Sequence, residues 1–209
     1  MNSDDLNQVL RRPARYWNID GLPLLGMGTF WLLWGAATLL MERLAGYWKV
    51  ASVPLTILFM GGGFALNYIV KRLKQRITEP RAGAMRLRED VKWPAAIGAV
   101  AAAFAIAAVV VVLKTGLHGE LQSALPGGIG LVIAAAYFYS SRRYQIPSYS
   151  AAGLCALLSG LGLMVFGVDF PASLGWFFVL VGSASIVCGV GDLLRFLHQN
   201  PLPGGEENA

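Results

Sequence analysis

This chain has few charged residues. Only 14% of its 209 residues are charged, whereas 56% are apolar, and the mean hydropathy is +0.55. A water-soluble domain usually carries about 25% charged residues, and with far fewer it would expose large apolar patches to water. The composition therefore argues against an ordinary soluble domain and favours a protein that is solvated by lipid.

The residues and motifs of common catalytic and metal sites are scarce as well. The two cysteines, Cys155 and Cys188, lie inside apolar runs and form neither a disulfide framework nor a CxxC pair. The chain contains no HExxH helix, GxSxG elbow, P-loop or GxGxxG loop. His118 and His198 lie on opposite sides of the predicted membrane, and a single histidine on one side is too few to predict a zinc site. We predict no catalytic residues, no metal site and no cofactor, and the sequence favours a protein that is not an enzyme.

Six long apolar runs are present, and a backbone that crosses lipid must satisfy its hydrogen bonds within each segment, which favours helices. A span needs roughly 20 apolar residues. The fourth run is short, so it either includes residues 121–123, Leu-Gln-Ser, or crosses where the bilayer is thin. We predict an all-α polytopic membrane protein, a bundle of about six transmembrane helices within residues 22–194. The runs are Leu22–Met41, Ala51–Val70, Trp93–Leu113, Ala124–Tyr139, Ala151–Val168 and Ala172–Leu194.

Basic residues alternate between the connections of these runs. Fourteen of the 17 Lys and Arg residues fall in the N-terminal tail, the loops after spans two and four, and the C-terminal tail. The remaining three are Arg43, Lys49 and Lys114. Positive charge marks the cytoplasmic side, so both termini are predicted to lie in the cytoplasm. Residues 1–21 form a basic tail or an interfacial helix, and residues 195–209 form a disordered tail.

The loop after span two is the most informative stretch. Its arginines could converge on a phosphate, because the planar guanidinium fork binds phosphate in a bidentate manner. The ligand would be an anionic lipid headgroup, a nucleotide or the acidic tail of a partner; the alternative is that the loop only sets topology. The predicted contact residues are Arg76, Arg81, Arg86 and Arg88.

Asp20 precedes Gly21 at the predicted cytoplasmic mouth of span one. Two interpretations stay open for its carboxylate. It caps the first helix, or it forms an inter-loop pair with an arginine of the loop after span two.

Two short motifs carry a resemblance. Residues 15–22 read Arg-Tyr-Trp-Asn-Ile-Asp-Gly-Leu, and residues 76–83 read Arg-Ile-Thr-Glu-Pro-Arg-Ala-Gly. Together with the span layout they resemble a family of uncharacterised bacterial multi-span membrane proteins, although Glu79 and Ala84 stand where that family has aromatic residues. The resemblance implies an inner-membrane location and brings no activity.

Function is the least constrained expectation. Glycines within the spans favour close helix packing, and the alternative is that they mark unwound segments of a transporter. We expect a non-enzymatic assembly or accessory component that uses its basic cytoplasmic face. Its partners would be membrane lipids with anionic headgroups and a membrane protein or a second copy, and nucleic acid is not expected. The alternative is a small channel or transporter for a neutral or lipidic solute.

Overall fold

The computed structural model describes residues 17–43, 48–82, 120–170 and 172–201. These residues fold almost entirely into helices, with no strand among them, so the all-α class is confirmed for the part of the chain in view. The helices are α1 (Leu22–Arg43), α2 (Trp48–Ile77), α3 (Glu79–Ala82), α4 (Glu120–Tyr144), α5 (Pro147–Val165) and α6 (Ala172–Gln199).

Four of these helices are long and apolar enough to cross a membrane, namely α1, α4, α5 and α6. The predicted second run lies within α2, and the predicted third run, Trp93–Leu113, falls outside the described residues. The count of six spans is therefore not confirmed. The α4 helix is longer than the fourth run, because it continues through polar residues at both ends. One of these, Ser140, donates from Oγ to the carbonyl oxygen of Ala136 in the same helix at 2.8 Å.

Helices α1 and α6 run antiparallel and touch along a line of glycines that we call the glycine seam. Its members recur every seven residues, or two helical turns, so on each helix they share one face. A Cβ placed on Gly28 would lie 2.7 Å from the amide nitrogen of Ile186 and 2.8 Å from the carbonyl oxygen of Gly182. The two backbones are therefore in direct contact. The seam comprises Gly21, Gly28 and Gly35 of α1 and its entry turn, and Gly175, Gly182 and Gly189 of α6.

Helices α4 and α5 form a second antiparallel pair. A Cβ on Gly130 would lie 2.9 Å from the carbonyl oxygen of Ala156, so small residues again allow close approach. The turn between the helices places Gln145 at a φ of 56°, and α5 then begins at Pro147. Fully buried Phe177 and Val181 of α6 belong to the apolar core that joins the two pairs, and Trp31 of α1 stacks on Phe178 with ring centroids 5.0 Å apart.

The outward faces of the helices are apolar. Large aliphatic side chains stand more than half exposed on every helix that is long and apolar enough to cross a membrane, as expected if lipid rather than water surrounds them. Examples are Leu33, Leu40, Leu131, Leu158, Val187 and Leu194.

Two glycines of α6 allow the seam to be tested with a matched control. We expect Gly182→Ala to lower the free energy of unfolding by about 1–3 kcal/mol, because its Cβ would press on the backbone of Leu32 and Gly28. Gly191→Ala should leave stability unchanged or slightly raised, because no heavy atom lies within 4 Å of that Cβ position among the described residues. Reversible unfolding in mixed detergent micelles measures both, and equal effects would contradict the seam.

Candidate functional site

The chain enters α1 through a tight turn that buries Asp20. The amide of Gly21 donates to the carbonyl oxygen of Asn18 at 3.3 Å, and Gly21 adopts a φ of +68°. A side chain at Gly21 would also collide with the Gly189 carbonyl and with Asp192, so glycine is required there on both counts. Asp20 itself is completely inaccessible to solvent.

Each carboxylate oxygen of Asp20 has its own partners. Oδ1 accepts from the amide of Leu22 at 3.2 Å, the geometry of a helix cap. Oδ2 lies 2.8 Å from Lys74 Nζ and accepts from Thr78 Oγ1 at 2.8 Å. The Asp20 carboxylate therefore binds the first amide of α1 and forms an ion pair at the same time. The basic partner is a lysine at the end of α2, where the sequence analysis expected an arginine.

Lys74 is buried almost as completely as the aspartate with which it pairs. Its side chain is 4% exposed, its ammonium also donates to the carbonyl oxygen of Trp17, and Nζ lies 4.5 Å from the centroid of the Trp17 ring. Three ammonium hydrogens thus meet a carboxylate, a carbonyl and an aromatic face. Burial lowers the pKa of Lys74 below its ordinary value, and the adjacent Asp20 carboxylate opposes that shift. We call Trp17, Asp20, Lys74 and Thr78 the Asp20–Lys74 cluster.

Helical periodicity explains why Lys74 is the partner. Helix α2 continues seven residues past the end of the predicted run, so Lys74 and Thr78 follow buried Val70 at intervals of four on one face. Arg72 and Arg76 fall on the exposed side of the same helix. The spacing of Val70, Lys74 and Thr78 in the sequence already matches one helix face, but hydropathy alone places residues 71–92 in a loop.

Helices α5 and α6 meet the α1 entry turn beside the cluster. Tyr149 OH donates to Asn18 Oδ1 at 3.0 Å, and Ser148 Oγ donates to Asp192 Oδ1 at 2.6 Å. Asp192 Oδ2 is buried and has no hydrogen-bond partner among the described residues. These contacts bring the start of α1, the end of α2, the start of α5 and the end of α6 to one place, which we call the Asp20 end of the helices.

The four arginines predicted to converge on a phosphate are placed only in part. Arg76 is exposed on α2, whereas Arg81 donates from Nη1 to the carbonyl oxygen of Asn200 at 3.1 Å. Arg86 and Arg88 lie outside the described residues. The structure thus gives Arg81 a partner at the end of α6, which the sequence analysis did not foresee, and the convergence of all four arginines stays a prediction.

Within the described ranges, no group of three or more His, Cys, Asp or Glu side chains is placed to hold a metal ion. Comparison of the chain with protein-family models, with curated proteins and with solved structures found no match. The resemblance to a bacterial membrane-protein family therefore stays a prediction, and the functional argument rests on the contacts of this chain.

The ion pair can be tested by a double-mutant cycle. Lys74→Met should lower the free energy of unfolding by about 3–5 kcal/mol, because it leaves the fully buried Asp20 carboxylate unpaired. Adding Asp20→Asn, which keeps a capping oxygen, should recover part of that loss through a coupling of about 0.5–3 kcal/mol.

The control for this cycle is Lys71→Met, an exposed lysine three residues earlier, which should change stability by no more than about 0.5 kcal/mol. Chemical unfolding in detergent is measured for the native chain, the Asp20→Asn and Lys74→Met variants, their combination and the control. Strictly additive effects of the Asp20 and Lys74 substitutions would show that the two side chains do not stabilise one another.

Proposed function

We propose that this chain is a non-enzymatic, multi-span protein of a bacterial inner membrane that assembles with other membrane components through a basic cytoplasmic face. The observation that carries the proposal is the buried Asp20–Lys74 ion pair. It joins the start of the most basic segment of the chain, residues 71–92, to the entry turn of α1. The basic residues that follow Lys74 would then start from a position that the ion pair holds in place.

The distribution of charge supports the cytoplasmic assignment of this end. Helices α2 and α4 both end in basic residues, and Tyr144 at the end of α4 packs edge-on against Tyr149, with ring centroids 5.9 Å apart. The Asp20 end therefore gathers several exposed cations, as the positive-inside rule expects of a cytoplasmic surface. They are Lys71, Arg72, Arg76, Arg142, Arg143 and Arg195.

The chemistry of this face favours anionic partners. An exposed arginine offers a planar fork to a phosphate or carboxylate, and each basic side chain near an anionic membrane surface contributes about 1 kcal/mol. Arg76 is exposed and available for this purpose. Phospholipid headgroups and acidic segments of a membrane partner both fit this description.

A channel or transporter for a neutral or lipidic solute is the alternative. It requires a hydrated path between helices, and Thr29 of α1 and Gly61–Gly63 of α2 are the places where we would look for one. At the glycine seam the α1 and α6 backbones touch, and Thr29 Oγ1 donates to the carbonyl oxygen of Leu25 in its own helix at 2.9 Å. These contacts favour the assembly function over a path between α1 and α6.

The proposed orientation predicts which side of the membrane the basic segment faces. In a variant with Cys155 and Cys188 replaced, a single cysteine introduced by Gly83→Cys should react with an impermeant maleimide only in inside-out vesicles. A second variant with the cysteine at Glu42, at the far end of α1, should react only in right-side-out vesicles. The reverse pattern would overturn the proposed topology.

The assembly itself can be tested by native mass spectrometry of the protein released gently from its own membrane. We expect a stoichiometric second protein or retained anionic lipid on the native chain, and its loss from an Arg76→Ala, Arg86→Ala double variant. The matched control, Arg43→Ala with Lys49→Ala, removes the same charge from the opposite ends of α1 and α2 and should retain the partner. A chain that carries only a neutral solute would support the transporter function instead.

A further inference from the structure

A hydrogen bond connects the end of α6 to residues 71–82, the basic segment that the structure describes. Arg81 donates from Nη1 to the carbonyl oxygen of Asn200 at 3.1 Å, one residue after α6 ends at Gln199. The chain therefore leaves the helices at Pro201 directly next to α3. Whatever follows Pro201 starts within reach of the exposed cations of α2.

The charges of the two segments are complementary. Residues 71–82 hold five basic residues and one acid, Glu79. Lys74 is neutralised by Asp20, which leaves Lys71, Arg72 and Arg76 exposed and Arg81 partly exposed. Residues 201–209 hold no basic residue and two adjacent acids, Glu206 and Glu207.

The distances permit the two segments to meet. Glu206 is six residues beyond Asn200, and six extended residues span at most about 20 Å. Arg76 precedes Arg81 by five residues, so their Cα atoms are at most about 18 Å apart. Gly204 and Gly205 stand immediately before the two acids, so the chain can turn back towards α2.

We propose that the acidic segment Glu206–Glu207 docks on the exposed cations of α2 and α3 and competes there with anionic lipid headgroups. This inference rests on the proposed function, because it assigns an internal competitor to the same basic face. The tether makes the competition intramolecular, so a weak contact is populated at the high effective concentration that a short linker provides. Anionic lipid headgroups then occupy these cations only where they are dense enough to displace the tail.

The first test measures lipid binding with the tail charges removed. The protein in neutral phosphatidylcholine nanodiscs is titrated calorimetrically with dihexanoyl phosphatidylglycerol, a short-chain anionic lipid. Glu206→Gln with Glu207→Gln should strengthen binding by about two- to tenfold, the range expected for the loss of two exposed ion pairs. The matched control, Glu42→Gln with Asp169→Asn, removes two exposed acids at the opposite end of the helices and should not change the affinity.

The outcomes separate this inference from the proposed function. If Arg76→Ala with Arg86→Ala weakens binding while the tail variant binds like the native chain, the basic face is real and the docked tail is refuted. If the arginine variant also leaves binding unchanged, the proposed function fails.

A second measurement then decides the docking directly, without added lipid. Spin labels are introduced at Gln75, which is exposed on α2, and at Asn208, in a variant without the native cysteines. We expect a short, narrow distance distribution that broadens in about 1 M salt, where the screening length falls to about 3 Å. A broad distribution that does not respond to salt would overturn the proposal.

Discussion

The contact of two backbones along the glycine seam is the constraint on which the other features depend. Between helices in lipid the hydrophobic effect supplies little attraction, so association relies on close packing and on polar contacts. Glycine at seven-residue intervals removes the side chains that would hold α1 and α6 apart, and Gly28 and Gly182 meet near the middle of the seam. This packing fixes the entry of α1 against the end of α6. The α1 entry turn, which carries Asp20, is held beside Gly189 and Asp192 of α6 by that packing.

The Asp20–Lys74 pair has a different role from the seam. A buried ion pair often contributes no more stability than apolar residues of similar size, because both charges lose their hydration. Its value lies in specificity, since an Asp20 left without Lys74 or Thr78 would be strongly unfavourable in a site with no solvent exposure. The pair therefore selects one register of α2 on α1, and Gly26, packed against Val70 one turn earlier on α2, is consistent with that register.

The sequence was sufficient for the helical class and for the positions of most helices, because long apolar runs in lipid have few other solutions. It was insufficient for helix ends, since hydropathy declines where α2 and α4 become polar although their backbone hydrogen bonds continue. Because hydropathy ends the second run at Val70, it assigns Lys74 to a loop, although Lys74 is helical and pairs with Asp20 at the entry of α1. The glycine seam was also within reach of the sequence as a seven-residue repeat. The sequence does not show which helix packs against which, because the pairing of α1 with α6 is a feature of the tertiary structure.

The antiparallel pairing of α1 with α6 also imposes an order on biosynthesis. About 140 residues separate Gly35 from its partner Gly175. At typical synthesis rates of about 5–20 residues per second, α1 waits on the order of ten seconds in the membrane before its packing surface is covered. Throughout that interval its glycine face is open to the lipid, to insertion factors and to other nascent helices. The face of α1 that α6 covers must therefore stay competent for packing until synthesis has passed Gly189.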